Sequence, residues 1–143
     1  MQSLAQLIAT ACAALFAGAA LYINLVEHPA RMSLGAETAL AQWAPSYRRA
    51  TWMQAPLAAV GFVAALFAWL GGASASWLAG GVLLGLVVPY TLVVVKPTND
   101  RLLSAELDAR SSRARELLQR WNVLHAVRTA MSMVALVLFL LVR

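Results

Sequence analysis

Charge is what this sequence has least of. Only 12% of its 143 residues are charged, against about a quarter in ordinary soluble domains, while 62% are hydrophobic. No Asp, Glu, Lys or Arg occurs before Glu27, between Arg49 and Lys96, or between Arg128 and Arg143. Such uncharged reaches exclude an ordinary soluble domain. Cysteine is scarce as well: Cys12 stands alone, so no intramolecular disulfide forms, and it reads as a small residue of a membrane helix. The opening residues carry Ala17-Gly-Ala19, which resembles a signal-peptide cleavage site. They lack a basic leader and their apolar run is too long, so a retained transmembrane helix is expected. Strand-like alternation is missing, and no His-x-x-x-His or similar short metal motif occurs around the two histidines.

What is there are four apolar segments, roughly Leu4–Val26, Thr51–Leu70, Trp77–Val95 and Val123–Val142, each near the ~20 residues needed to cross a bilayer. The expected fold is all-α: a single-domain integral membrane four-helix bundle over 1–143, with helices near 4–28, 45–70, 76–96 and 112–142. Pro29 is expected to end the first helix, because the residue before a proline is steered away from helical geometry. Ala36-Glu-Thr-Ala-Leu-Ala-Gln-Trp43 reads as a short interfacial helix in the first connection. Pro45 suits the first turn of helix two, and Pro56 and Pro89 imply kinks. Ala14 with Gly18, and Gly81 with Gly85, are spaced for close helix contact. Thr98 or Asn99 could cap a new helix after Lys96, followed by a half-buried helical stretch from Leu102 to Gln119.

The net charge of +5 could suggest nucleic acid, but its location argues against that partner. Every Lys and Arg except Arg143 lies in Glu27–Thr51 or Lys96–Arg128, together with all six acids. The basic excess therefore reads as topology and attraction to anionic lipid head groups. It places loops 29–47 and 97–120 in the cytoplasm and both termini outside, in a bacterial-type inner membrane. Membrane lipids and a hydrophobic small molecule are the expected partners, and homo-oligomerisation stays open.

Polar groups gather at one end of this bundle. Asn24, Glu27, His28 and Arg31 stand at i, i+3, i+4 and i+7, offsets that stack them on one helical face. Helix two adds Tyr47, Arg48, Trp52 and Gln54. Helix three adds Tyr90, Thr91, Thr98 and Asn99, and helix four adds Trp121, Asn122, His125 and Arg128. His28 leaves the membrane where His125 enters it, so both imidazoles are expected at similar depth. Singly, these residues read as snorkelling arginines, an aromatic belt of Trp43, Trp52 and Trp121, or hydrogen-bonded structural histidines. Together they form a site expected to open toward the charged face, since polar groups at membrane depth are costly unless they face protein or water.

Gly18-Ala-Ala-Leu-Tyr-Ile-Asn24, Glu27-His28-Pro29-Ala-Arg31, Pro45-Ser-Tyr-Arg48-Arg-Ala, Pro89-Tyr-Thr91, Pro97-Thr-Asn99-Asp-Arg-Leu102 and Trp121-Asn-Val-Leu-His125-Ala-Val-Arg128 resemble the anthrone oxygenase-like family. The resemblance spans nearly the whole chain. It implies a compact four-helix bundle. For members in aromatic polyketide pathways it implies oxidation of an anthrone to an anthraquinone with molecular oxygen, while most members have no assigned reaction.

That chemistry can be argued without a cofactor. Removing a proton from the acidic CH₂ of the ring that carries the carbonyl gives an electron-rich enolate able to reduce oxygen. His28 or His125 would be the base, oriented by Glu27. Arg31 or Arg128, with Asn99, would stabilise the enolate. Trp52, Tyr90 and Trp121 would wall a flat substrate, with Asn24, Arg48, Gln54 and Asn122 among its contacts. A second reading makes His28, His125 and Glu27 ligands of iron, copper or zinc, or uses the two imidazoles to clamp a haem. A third is a non-enzymatic accessory protein binding quinone or lipid.

Overall fold

The computed structural model describes residues 3–141. Four long helices, α1 (Leu4–Ser33), α2 (Ala36–Leu70), α3 (Ala75–Leu102) and α4 (Ser112–Leu141), are each long and apolar enough to cross a membrane. They form the expected four-helix bundle, and no strand occurs among the described residues. With its backbone groups satisfied inside the helices, the protein is a multi-pass membrane protein. The helices stand in a ring in which α1 touches α2 and α4, and α3 touches the same two. Connections between neighbours are short or pinned, so successive helices run antiparallel.

The core of the uncharged half is made by small residues meeting large ones. Trp77 of α3 stacks on Phe139 of α4 with ring centroids 4.8 Å apart. A Cβ on Gly80 would come within 2.5 Å of the Phe139 ring, so only glycine admits that stack. Gly81 meets Ala65 and Gly85 meets Phe62, so the Gly81–Gly85 stripe packs on α2 as its spacing suggested. The Ala14–Gly18 stripe does not pack. Both residues are exposed, and α1 instead buries Ala13, Ala17 and Ala20.

All five prolines lie inside helices, which overturns several expected boundaries. Pro29 does not stop α1. Two residues upstream the helix widens over Ile23–Glu27, where the His28 N–H bonds back to the Ile23 carbonyl, five residues away. The same device precedes Pro97, where Thr91–Val95 widens and the Lys96 N–H bonds to the Thr91 carbonyl. Proline brings no N–H and crowds the preceding turn, and an i→i+5 turn just before it takes up that mismatch without ending the helix. Thr98 and Asn99 are consequently buried inside α3 rather than capping a new helix.

Pro45 likewise lies within α2, so the expected interfacial helix is not separate. Ala36–Trp43 is the first part of one continuous 35-residue helix. The break before it is only Leu34 and Gly35, the latter at φ +89°, where L side chains rarely sit. Nor is 102–119 one helical stretch. Residues 103–111 turn, tied to α2 by an exposed Arg110–Glu37 ion pair, and α4 begins at Ser112.

Candidate active site at the charged end of the bundle

The wide turn in α1 changes which neighbour each polar side chain meets. A plain helix would stack Asn24, Glu27, His28 and Arg31 on one face; the extra residue in the turn spreads them. Asn24 faces α4, where its amide nitrogen donates to the Asn122 carbonyl oxygen at 3.0 Å and to Asn122 Oδ1 at 2.7 Å. Glu27 faces α2, accepting from Gln42 Nε2 at 2.9 Å, from Ser46 Oγ at 2.7 Å and from Arg31. The Glu27 carboxylate therefore pins α1 to α2 and neutralises Arg31, and it orients no imidazole.

The Asn24 contacts fix the state of His125. A backbone carbonyl can only accept, so the Asn24 nitrogen must be the atom facing Asn122. Its oxygen then faces Thr129 Oγ1, which donates at 2.5 Å, and His125 Nδ1 at 3.0 Å. An amide oxygen cannot donate, so Nδ1 carries the proton. In the neutral ring Nε2 is left with its lone pair. Buried to 1% exposure, His125 is held in a defined tautomer.

One turn further along α4 lies Arg128, also buried, whose Nη2 donates to Gln54 Oε1 at 2.8 Å. Among the described residues no carboxylate pairs with this guanidinium. Its Nε and the Gln54 Nε2 are buried donors without acceptors, an arrangement that favours an anionic oxygen beside them. Its other neighbour is the Phe16 ring, 5.5 Å from the guanidinium carbon.

Two cavities meet here. A small one of about 10 Å³, room for at most one water, is bounded by Arg31, Tyr47, Gln54, Trp121, His125 and Arg128. A larger one of about 120 Å³ lies between α2 and α3, with Phe16, Ala55, Ala58, Val87 and Thr91 in its wall. Tyr47, Thr51, Gln54 and Arg128 line both.

The other expected site residues fall around this centre unevenly. Trp121 packs against both imidazoles, with centroids 4.8 Å from His125 and 6.0 Å from His28. His28 is buried but lines neither cavity. Tyr90 ties helices together by donating to the Leu124 carbonyl, and Asn122 serves Asn24 rather than a ligand. Asn99 is 1% exposed with neither end of its amide bonded, and it too lies outside both cavities. Trp52 is 84% exposed and Arg48 is exposed. Trp52 precedes the inward Gln54 by two positions, about 200° around a helix, so it faces outward and walls no pocket.

Residues that the sequence reading passed over complete the site. Trp43, expected in an interfacial belt, is fully buried, stacked on Tyr47 at 5.1 Å and edge-on to Trp121 at 5.8 Å. Trp43, Tyr47, Thr51, Gln54 and Ala58 recur at helical spacing, a stripe that reading Pro45 as a helix start divides. With Leu102, Leu117 and Leu118, Trp43 covers the charged end. That cover lies across the bundle axis, while a groove of about 550 Å³ between α1 and α2, beside Glu27, Gln42 and Arg49, reaches Ile23, Ser46 and Ala50 of the small cavity.

A family profile described as anthrone oxygenase matches residues 43–138. The chain belongs to the anthrone oxygenase family. The matched stretch holds Tyr47, Gln54, Trp121, His125 and Arg128, while Asn24, Glu27, His28 and Arg31 precede it. No curated protein and no solved structure matches the chain. Family and geometry together support an oxygenase type of function.

The metal readings do not fit these residues. No group of three or more His, Cys, Asp or Glu side chains is assembled among the described residues. Glu27 is committed to Arg31, Gln42 and Ser46, and the His125 Nδ1 to Asn24. A haem clamp needs both imidazoles to face one cavity, and His28 lines neither.

Proposed function

We propose that this protein oxidises a flat, lipid-soluble anthrone or related phenolic ketone with molecular oxygen, at the centre formed by His125, Arg128 and Gln54. His125 Nε2 removes a proton from the CH₂ that lies across the central ring from the carbonyl and is conjugated with it through the flanking rings. The charge moves onto the carbonyl oxygen, which lies against the unpaired donors of Arg128 and Gln54, giving an enolate. That electron-rich carbon gives its electrons to O₂. One oxygen atom becomes the new ring carbonyl, and the other leaves as water with the two hydrogens lost from carbon. Anthrone plus O₂ thus yields anthraquinone plus water.

One observation carries this reading: a buried imidazole with a free Nε2 shares a cavity wall with a buried guanidinium that no carboxylate neutralises. Arg31, already paired with Glu27, is the lesser candidate for the enolate. His28, walled off by Trp121, is the lesser candidate for the base. On this reading the charged end faces the cytoplasm, supported by the ten basic residues within 27–51 and 96–128.

The test is oxygen uptake by the protein purified in detergent, with 1,8-dihydroxyanthrone as substrate and autoxidation subtracted. His125→Gln should lower the rate at least about a hundredfold, the scale of a positioned general base, whereas His28→Gln should stay within about fivefold. Wild-type uptake by His125→Gln would sink the base assignment. No uptake by the wild type with any anthrone would sink the reaction and favour a quinone- or lipid-binding role.

A further inference from the structure

The site is covered along the bundle axis, and its larger cavity opens to the side. At the charged end, Trp43, Leu102, Leu117, Leu118 and Trp121 are all under 5% exposed. Ala39, from the part of α2 that precedes Pro45, packs with them. The larger cavity opens instead through the side of the bundle, between Thr51–Ala58 of α2 and Val87–Leu92 of α3. Ala55 and Leu92 stand exposed at its mouth, and Met53, Leu86 and Val93 nearby present apolar surface outward.

The depth of that mouth is set by the charges beside it. Thr51 lies two residues beyond the exposed Arg49, and Leu92 four before Lys96, so the opening begins roughly 3–6 Å inside the last charge on each helix. Amphipathic aromatic molecules settle at this level, with rings in the acyl region and hydroxyls toward the head groups. The wide turn of α3 begins at the same place: Thr91 lines the cavity, its hydroxyl turned back to the Val87 carbonyl at 2.7 Å. The small Ala55 and Ala58 on the facing helix leave the gap. Its polar lining combines Gln54 and Arg128 with Tyr47, Thr51 and Thr91.

We propose that the substrate comes sideways out of the bilayer through this gap between α2 and α3, oxygen-bearing edge first. Ala55 and Leu92 set the width of the opening, and a ring system larger than about 120 Å³ keeps its far end among lipid chains. The proposal rests on the oxidation site described above for what the substrate does on arrival, but the route can be tested without turnover.

The probe is 1,8-dihydroxyanthraquinone added to the full chain in lipid vesicles, its binding followed by quenching of tryptophan fluorescence in stopped flow. Ala55→Phe and Leu92→Trp fill the mouth from lipid-facing positions, so neither asks the core to repack. Each should slow probe binding at least tenfold, while Leu118→Ala, which thins the cover at the charged end, should leave the rate within twofold. Circular dichroism and thermal melts confirm that each variant is folded. Wild-type binding rates in both mouth variants would overturn the lateral route, as would acceleration confined to Leu118→Ala or no binding of the probe by the wild-type protein. Slowed binding in the mouth variants from a wild type that consumes no oxygen would uphold the route and overturn only the oxidation.

Discussion

Asn24 offers the sharpest single perturbation, because one amide decides which nitrogen of His125 is free. Asn24→Leu keeps the bulk of the side chain and removes the acceptor 3.0 Å from His125 Nδ1. Thr129 Oγ1 can fall back on the His125 carbonyl at 3.4 Å, so the loss falls mainly on the imidazole. A buried donor left without an acceptor costs about 1–3 kcal/mol. The ring escapes that cost only by moving its proton to Nε2, the atom that has to act as base. The rate should therefore fall roughly fivefold to 150-fold, the same free energy expressed as a rate ratio. Asn24→Asp retains an acceptor for Nδ1 and for Thr129, but replaces the donation to Asn122 with an oxygen facing the Asn122 carbonyl. It should keep the tautomer and more of the activity than Asn24→Leu. Oxygen uptake with 1,8-dihydroxyanthrone gives the rates, and ¹⁵N shifts of a histidine-labelled sample give the tautomer. A Leu variant with unchanged rate and unchanged His125 ring shifts would refute the reasoning.

Three other outcomes follow from the same geometry. Arg128→Met removes a buried cation that has no carboxylate; it should lower the oxidation rate by about two to three orders of magnitude, as loss of an oxyanion donor does, while leaving the melting temperature equal or higher. Glu27→Gln leaves Arg31 buried without its counter-charge and should destabilise the protein by about 3 kcal/mol, read as a lowered thermal midpoint in detergent; an unchanged midpoint would mean that the pair is too well solvated to matter. Trp52→Ala, at a side chain 84% exposed, should change the rate by less than twofold, and a tenfold loss would place the substrate elsewhere.

The helices were legible because their signals are long and redundant: uncharged runs of membrane length, with charge confined to the stretches between. The site was legible as a list of residue types at one level, and His125, Arg128, Gln54, Arg31 and Trp121 do meet there. What the sequence concealed was direction. Proline was read as a boundary at Pro29 and Pro45, yet helical backbone runs through both, so the turn that splits Asn24 from Glu27 and the stripe from Trp43 to Ala58 stayed hidden. Burial misled in the same way. Trp43 and Trp52 are the same residue type nine positions apart on one helix, and the half turn between them about α2 puts one in the cover and the other outside.

The paired wide turns carry a consequence for how this chain can vary in length. Each represents one residue more than a plain helix needs, in the two diagonal members of the ring that run the same way. Deleting a residue from 23–27 should leave an unbroken α1, but everything on one side of the cut would rotate by about 100° and slide by about 1.5 Å against the other. Asn24 could then serve His125 only if Ala13, Ala17 and Ala20 gave up their seats. A homologue that lacks the surplus residue in α1 should therefore have replaced the amide that steadies the imidazole, or lost the imidazole altogether.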